Sequence, residues 1–255
     1  MADNPNPIER LKQALDTDEF LLYCQPILAL AGPERYPMAE VLVRLHTEEV
    51  NLMPPGEFLP TFEHYRMMPQ LDRWVVRNVA KFRSRIASAP RLSVNLSAQT
   101  LDDAEFCGFV DKTMIDAGIE SNAVLFEIEE GDALARMGAT ARFCARLREI
   151  GSSVLIDGFR CTPASLTLLK VLHVEFIKVD GALIGRLRSD PIARKQVNII
   201  LRLAKAVGFG VLAANVEKRE ALVRLEKLGF DYAQGFGIRH PHPLESIAEV
   251  GQRLA

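Results

Sequence analysis

Residues 143–159 read Phe143-Cys144-Ala145-Arg146-Leu147-Arg148-Glu149-Ile150-Gly151-Ser152-Ser153-Val154-Leu155-Ile156-Asp157-Gly158-Phe159 and hold one complete structural unit. Phe143, Leu147 and Ile150 share a face at three- and four-residue spacing, which predicts an amphipathic helix stopped by Gly151. A short apolar run then ends on an acid, as a buried strand does when its last residue reaches a polar surface. The same unit recurs. Val197, Ile200, Leu201 and Ala204 precede Gly208, and Leu222, Leu225 and Leu228 precede Gly229. Eight strands are expected, at 20–28, 38–45, 91–97, 123–130, 152–159, 174–181, 208–215 and 232–237.

Strands alternating with helices and no break in composition predict an α/β fold, and eight such units predict a closed (β/α)8 TIM-like barrel. The first connection departs from this pattern. Only about ten residues, Gly32-Pro33 among them, join the first two runs, too few for a parallel crossover, so an antiparallel N-terminal hairpin is expected. The long second connection must hold two helices, near 56–64 and 71–82. One domain is expected over 1–255, its core at about 18–247, with a helix before the first strand.

Composition removes several function classes. The chain has 31 Lys and Arg against 33 Asp and Glu, a formal charge of −2, so it lacks the basic excess of a nucleic-acid binder. Apolar residues make up 48%, which excludes a disordered acidic chain. No apolar run approaches the roughly 18 residues of a membrane span, so no membrane insertion is expected. Residues 1–5 do not read as a signal peptide. Cys24, Cys107, Cys144 and Cys161 have neither metal-type nor disulfide-framework spacing, which suits a reducing, cytoplasmic setting.

Polar residues at the strand ends define the candidate site, because a barrel of this type works from its C-terminal rim. They are Glu40 and Arg44, Asn95, Glu127, Asp157, Lys178 with Asp180, and Gln234. Carboxylates and an amide from separate strands make an oxygen-rich pocket, suited to Mg²⁺ or Mn²⁺ rather than zinc. Elsewhere the signals are bland. His46, His64, His173, His240 and His242 have no ligand spacing, and His240-Pro241-His242-Pro243 reads as a rigid exit from the barrel. Cys161 lacks a visible base partner for a nucleophile, Trp74 and Phe82 read as helix packing, and Arg142, Arg146 and Arg148 read as a solvated face.

The ordered motifs resemble the EAL-domain family, whose active members hydrolyse cyclic di-GMP. They run Leu22-Tyr23-Cys24-Gln25-Pro26-Ile27, Ala39-Glu40-Val41-Leu42-Val43-Arg44, Pro55-Gly56-Glu57-Phe58 and Leu71-Asp72-Arg73-Trp74. They continue through Ser93-Val94-Asn95-Leu96-Ser97, Phe126-Glu127-Ile128-Glu129-Glu130, Phe176-Ile177-Lys178-Val179-Asp180 and Gln234-Gly235-Phe236. The resemblance implies the EAL barrel with its antiparallel strand, and a first metal site at Glu40, Asn95, Glu127 and Asp157. It implies Lys178 near the attacking water or scissile phosphate, with Gln234 beside the pocket. Arg44 would hold a phosphate, and Gln25, Leu42, Asp72, Asn95, Gln234 and Phe236 would help hold the nucleotide, Asp72 at a guanine edge. Glu130 and Asp180 would support the loops.

Two departures fall on the chemistry. The family carries a second aspartate after the position of Asp157, where this chain has Gly158. It also carries a glutamate, the general base, where this chain has Ala214. Losing a general base costs roughly 10²–10⁴ in rate, and losing one ion of a pair removes half of the clamp on the reacting oxygens. The expectation is therefore a catalytically degenerate EAL domain that serves as a cyclic di-GMP receptor and signals through a protein partner or a homodimer. Mg²⁺ or Mn²⁺ would be held weakly at one site or not at all. Arg160, in the altered loop, is a candidate replacement cation for the phosphates. The alternatives are an active or weakly active phosphodiesterase and an interaction module that no longer binds nucleotide.

Overall fold

A computed structural model describes residues 7–17, 19–33, 35–46, 52–86 and 88–247. Position 18, expected as the start of the core, and both chain ends lie outside the described residues. Helix α1 (Pro7–Asp16) leads into β1 (Phe20–Ala29) and β2 (Met38–His46). These two strands pair antiparallel from Phe20 opposite Leu45 to Ile27 opposite Met38, as the short connection requires. A short β3 (Leu52–Met53) and helices α2 (Pro55–His64) and α3 (Met68–Arg85) fill the long second connection.

From there the pattern is regular. Strands β4 (Arg91–Leu96), β5 (Val124–Glu129), β6 (Ser153–Phe159), β7 (Phe176–Val179), β8 (Gly210–Ala213) and β9 (Tyr232–Ala233) follow, each parallel to the ring strand before it. Between them run α4 (Ala98–Leu101), α5 (Phe106–Ala117), α6 (Glu130–Ala135), α7 (Met137–Glu149), α8 (Pro163–Val171), α9 (Gly181–Arg186), α10 (Pro191–Val207) and α11 (Glu220–Leu228). Strand β9 pairs antiparallel with β1 at Leu28 and Ala29, which closes an eight-stranded barrel of β1, β2 and β4–β9.

The expected exit at 240–243 is instead part of the sheet. Residues His242–Pro243 form β10, which pairs with β1 at Cys24 and Tyr23. Strand β1 is ten residues long and β9 only two, so most of one edge of β1 is free to take this extra pairing. Strand β3 was also not expected; a two-residue ladder is too short to read from periodicity.

Local chemistry explains the helices. Asp190 caps α10 by accepting from Ile192 N at 2.7 Å, Pro191 occupies the first turn, and Gly208 ends the helix in a left-handed conformation. Its buried face is Ala193, Val197, Ile200, Leu201 and Ala204. Trp74 and Phe82 of α3 are buried, and Trp74 packs 5.5 Å from the Phe20 ring.

Inside the barrel, the side chains stack in two layers. Ile27, Met38, Leu125, Leu155, Phe176 and Leu212, with Tyr232 against them, form an apolar plug separate from the core under the helices. Strand side chains alternate faces, so the residue two positions along each strand lies above that plug. Those residues are Gln25, Glu40, Glu127, Asp157, Lys178, Ala214 and Gln234. On β1 the offset runs backwards, because β1 is antiparallel.

The rim closes through a tight backbone crossing. Val216 N donates to Gln234 O and Gly237 N donates to Val216 O, both at 2.9 Å. A Cβ on Gly235 would lie 2.2 Å from Val216 N. Gly235→Ala should therefore destabilise the protein by about 1–3 kcal/mol in urea titration, as overpacking does. Gly108→Ala, on an open face of α5 with nothing within 4 Å, should be neutral or stabilising by up to about 1 kcal/mol.

Candidate active site

The polar layer centres on Lys178, which is 3% exposed. Its Nζ donates to Glu127 Oε2 and to Glu40 Oε2 at 3.0 Å, and lies 3.8 Å from Asp157 Oδ2. The other carboxylate oxygens are engaged as well. Ser93 Oγ donates to Glu127 Oε1, Asn95 Nδ2 to Glu40 Oε1 at 2.8 Å, and Gly158 N to Asp157 Oδ1 at 2.6 Å. Gln234 Nε2 donates to Glu40 Oε2 at 2.8 Å and to Gln25 Oε1 at 3.3 Å, and Gln25 Nε2 donates to Arg239 O at 2.9 Å.

These contacts set the protonation states. Burial works against the charge of Lys178, but Glu127, Glu40 and Asp157 together raise its pKa above the ordinary lysine value. Burial, reinforced by Glu40, pushes the Glu127 carboxyl up to about 7. Burial also raises Asp157, against the pull of Lys178. Glu40 goes the other way. Burial opposes its ionisation, but Lys178, Asn95 and Gln234 hold it below the usual carboxylate range.

A cavity of about 980 Å³ opens over this layer. Gln25, Leu42, Gln234 and Phe236 of the expected ligand-binding set line it, together with Glu40, Asp157, Gly158, Lys178, Asp180 and Ala214. Phe236 is 61% exposed and stacks on His240 at 4.7 Å, forming an aromatic face at the mouth.

Arg44, Asp72, Asn95 and Glu127 are absent from that lining. Arg44 donates to Val43 O and lies over the Tyr23 ring. Asp72 is 4% exposed, and its Oδ2 accepts from Ser97 N, Ser97 Oγ and Thr100 Oγ1, tying α3 to the turn after β4. Arg160 does not reach the cavity. Its backbone N and Nε both donate to the buried carboxylate of Glu130, at 3.1 and 3.0 Å. Asp180 caps α9 by accepting from Leu183 N. The four cysteines are buried free thiols, and burial pushes Cys24 up to about 12, so none is poised as a nucleophile.

The geometry also brings in residues that sequence reasoning missed. Ile184, Leu187 and Arg188 from the segment after β7, and Lys218 and Arg224 from the segment after β8, line the outer wall. Their position just after strand C-termini was the available signal. Glu129 is a second. It stands two residues beyond Glu127 on the same strand face and opposite Asp157 in register.

The residues do not fit a two-ion centre. Gly158 and Ala214 face the cavity without a donor atom, and among the described residues no cluster of three or more His, Cys, Asp or Glu side chains is arranged to hold a metal. The first set has the right oxygen chemistry, but each carboxylate oxygen already accepts from, or faces, an internal donor. Gly158 sits at φ +67°, a left-handed conformation that side chains rarely adopt, so any substitution there is strained, aspartate less than most. A Cβ there would meet only Glu129 Oε1, at 3.7 Å.

The EAL domain family model matches residues 8–241. The chain belongs to the EAL domain family. It is 30% identical over 243 residues to cyclic di-GMP phosphodiesterase PdeB of Shewanella oneidensis, covering 94% of this chain and 28% of PdeB. It is also 30% identical over 254 residues to cyclic di-GMP phosphodiesterase PdeF of Escherichia coli, covering 98% of this chain and 34% of PdeF. The chain thus spans about a third of these relatives. The FimX EAL domain of Pseudomonas aeruginosa, solved bound to c-di-GMP, superposes with a TM-score of 0.85 at 27% identity, covering 92% of this chain and 96% of that one. The PaMucR phosphodiesterase in complex with c-di-GMP gives 0.85 at 27% identity, covering 94% and 99%. No helix among the described residues is long and apolar enough to cross a membrane.

Asp72 gives this EAL domain a measurable pH signature. Burial pushes its carboxyl up to about 6, against the donors Thr100 and Ser97. An unfolded aspartate titrates near about 3.9, so the folded state binds the proton more tightly and stability falls as pH rises from about 4 to about 6. Asp72→Asn keeps an acceptor oxygen and removes this slope. Urea titrations at intervals across that window should show the variant gaining on the wild type as pH rises.

Proposed function

We propose that this EAL domain is a cyclic di-GMP receptor that binds the dinucleotide without hydrolysing it. One observation carries the reading. In a single cavity, the groups suited to holding a nucleotide are present, while Gly158 and Ala214 leave two strand-end positions without any side-chain group that could bind an ion or move a proton. The likeness to EAL domains solved with c-di-GMP supports the choice of ligand.

Each retained group has a role in this reading. Phe236, backed by His240, offers a stacking face for a guanine at the mouth. The amides of Gln25 and Gln234, already fixed by their bonds to Arg239 O and Glu40, present ordered polar edges deeper in. Arg188, Lys218 and Arg224 line the outer wall and supply positive charge for the phosphates. Arg44 and Asp72 support the site through Tyr23 and the Ser97–Thr100 turn. A divalent ion, if one bound at Glu40, Asn95, Glu127 and Asp157, would supply further charge neutralisation. The domain works in a reducing cytoplasm, and occupancy is read by a protein partner or by a second copy of the chain.

Calorimetric titration with cyclic di-GMP, with and without Mg²⁺, together with an assay for the linear product, tests this. Saturable one-to-one binding with no product is expected. Turnover near about one per second would return the chain to the phosphodiesterases, and no heat at millimolar ligand would leave an interaction module. A second expectation follows from the room at position 158. Gly158→Asp combined with Ala214→Glu should raise hydrolysis at least about 10²-fold over the wild-type background in Mn²⁺.

A further inference from the structure

Helix α10 carries Arg194, Lys195, Arg202 and Lys205 and no acidic residue, in a chain whose formal charge is −2. Its buried face is Ala193, Val197, Ile200, Leu201 and Ala204. On the opposite side Ile192, Lys195, Ile199, Arg202 and Ala206 follow one another at three- and four-residue spacing, and all are exposed. They form one outward ridge about 20 Å long, aliphatic and basic by turns. Ile192 is 68% exposed, and Val207 at the end of the helix 63%. Lys195, Arg202 and Lys205 make no ion pair among the described residues, and Asp190, the acid nearest in sequence, caps the helix and pairs with Arg186 at 3.5 Å. Helix α8, which follows the neighbouring strand, has Lys170 beside exposed Val171 and no acid either. None of these residues lines the cavity over the polar layer.

We infer that this ridge is a docking face for an anionic lipid surface, on which the barrel lies sideways with α10 in the headgroup layer. Two features choose this occupant. Cations without internal partners need many anionic groups at once, and a leaflet carrying anionic lipid offers them along the whole helix. The exposed isoleucines gain nothing from a phosphate backbone, but they gain by leaving water for the acyl boundary, as the apolar side of an interfacial helix does. The ridge is the outermost line of a barrel helix and therefore convex, and a fluid surface conforms to its scattered aliphatic tips. Lysine and arginine stems lie along that boundary while their charged heads stay among the headgroups. Adsorption of this kind needs no spanning segment. Because α10 runs along the outside of the barrel wall, the cavity at the rim opens along the lipid surface and not into it. The inference holds whatever the cavity takes.

Sedimentation of the full chain with phosphatidylcholine vesicles containing about one-third phosphatidylglycerol should show half-saturation below about 1 mM lipid at low salt, and at least about tenfold weaker binding in about 0.5 M NaCl. Lys195→Glu with Arg202→Glu should weaken binding at least about tenfold, and Ile192→Ser with Ile199→Ser at least about fivefold, with thermal unfolding unchanged. Arg142→Glu with Arg148→Glu, at exposed positions of α7, changes the net charge equally and should bind within about threefold of the wild type. No binding, equal binding to phosphatidylcholine alone, or an equal loss in the α7 variant would overturn the proposal. So would a wild-type dimer that the ridge substitutions dissociate while vesicle binding is absent, which assigns the face to a second copy. Preference for duplex DNA over the vesicles would sink it as well.

Discussion

A buried ammonium among one buried and two half-buried carboxylates is the interaction on which the rest of this barrel depends. Lys178 ties β7 to β2, β5 and β6 at one point, and each carboxylate passes the connection on through Ser93, Asn95, Gln234 or the Gly158 amide. Removing one partner from such a cluster leaves a charge with no solvent and no counter-ion, which costs about 3–5 kcal/mol. Glu40 and Glu127 have both oxygens hydrogen-bonded within the layer, while Asp157 Oδ2, 3.8 Å from Lys178, faces the cavity.

The polar layer rests on the apolar plug, and the two are linked by strand geometry. Phe176-Ile177-Lys178, Leu155-Ile156-Asp157 and Leu125-Phe126-Glu127 each place an apolar side chain in the plug and a polar one two positions above it. Tyr232-Ala233-Gln234 does the same on the closing strand. Leu212-Ala213-Ala214 fits the plug and then breaks the polar series, so β8 keeps the strand geometry while position 214 offers the cavity no polar group. Gly158 is similar. Its backbone is in a left-handed conformation that favours glycine, and the position offers no side-chain oxygen to the cavity.

Much of this was legible in the residues. The eight ring strands, the antiparallel first pair and the two helices of the second connection follow from apolar spacing and loop length, which are local properties. Strands β3 and β10 were not legible, because two-residue ladders depend on what lies beside them; His242 pairs with Cys24 across more than two hundred residues. Arg160 is the instructive case at the site. Its place in the altered loop suggests a phosphate contact, but Glu130 is buried at 1% exposure and takes its guanidinium. Arg188, Lys218 and Arg224 sit on helices and turns of ordinary surface composition, and only the meeting of the segments after β7 and β8 sets them on one wall.

The sequence by itself determined the barrel and the candidates for the polar layer, because periodicity and residue type are sufficient for both, and its resemblance to the EAL family marked Gly158 and Ala214 as departures. Tertiary structure alone decided which oxygens are open. Whether a carboxylate is a ligand or the partner of an ammonium depends on distances between side chains on different strands. In this protein Lys178 lies within 3.0 Å of Glu40 and in direct contact with Glu127, closer than any spacing along the chain could indicate.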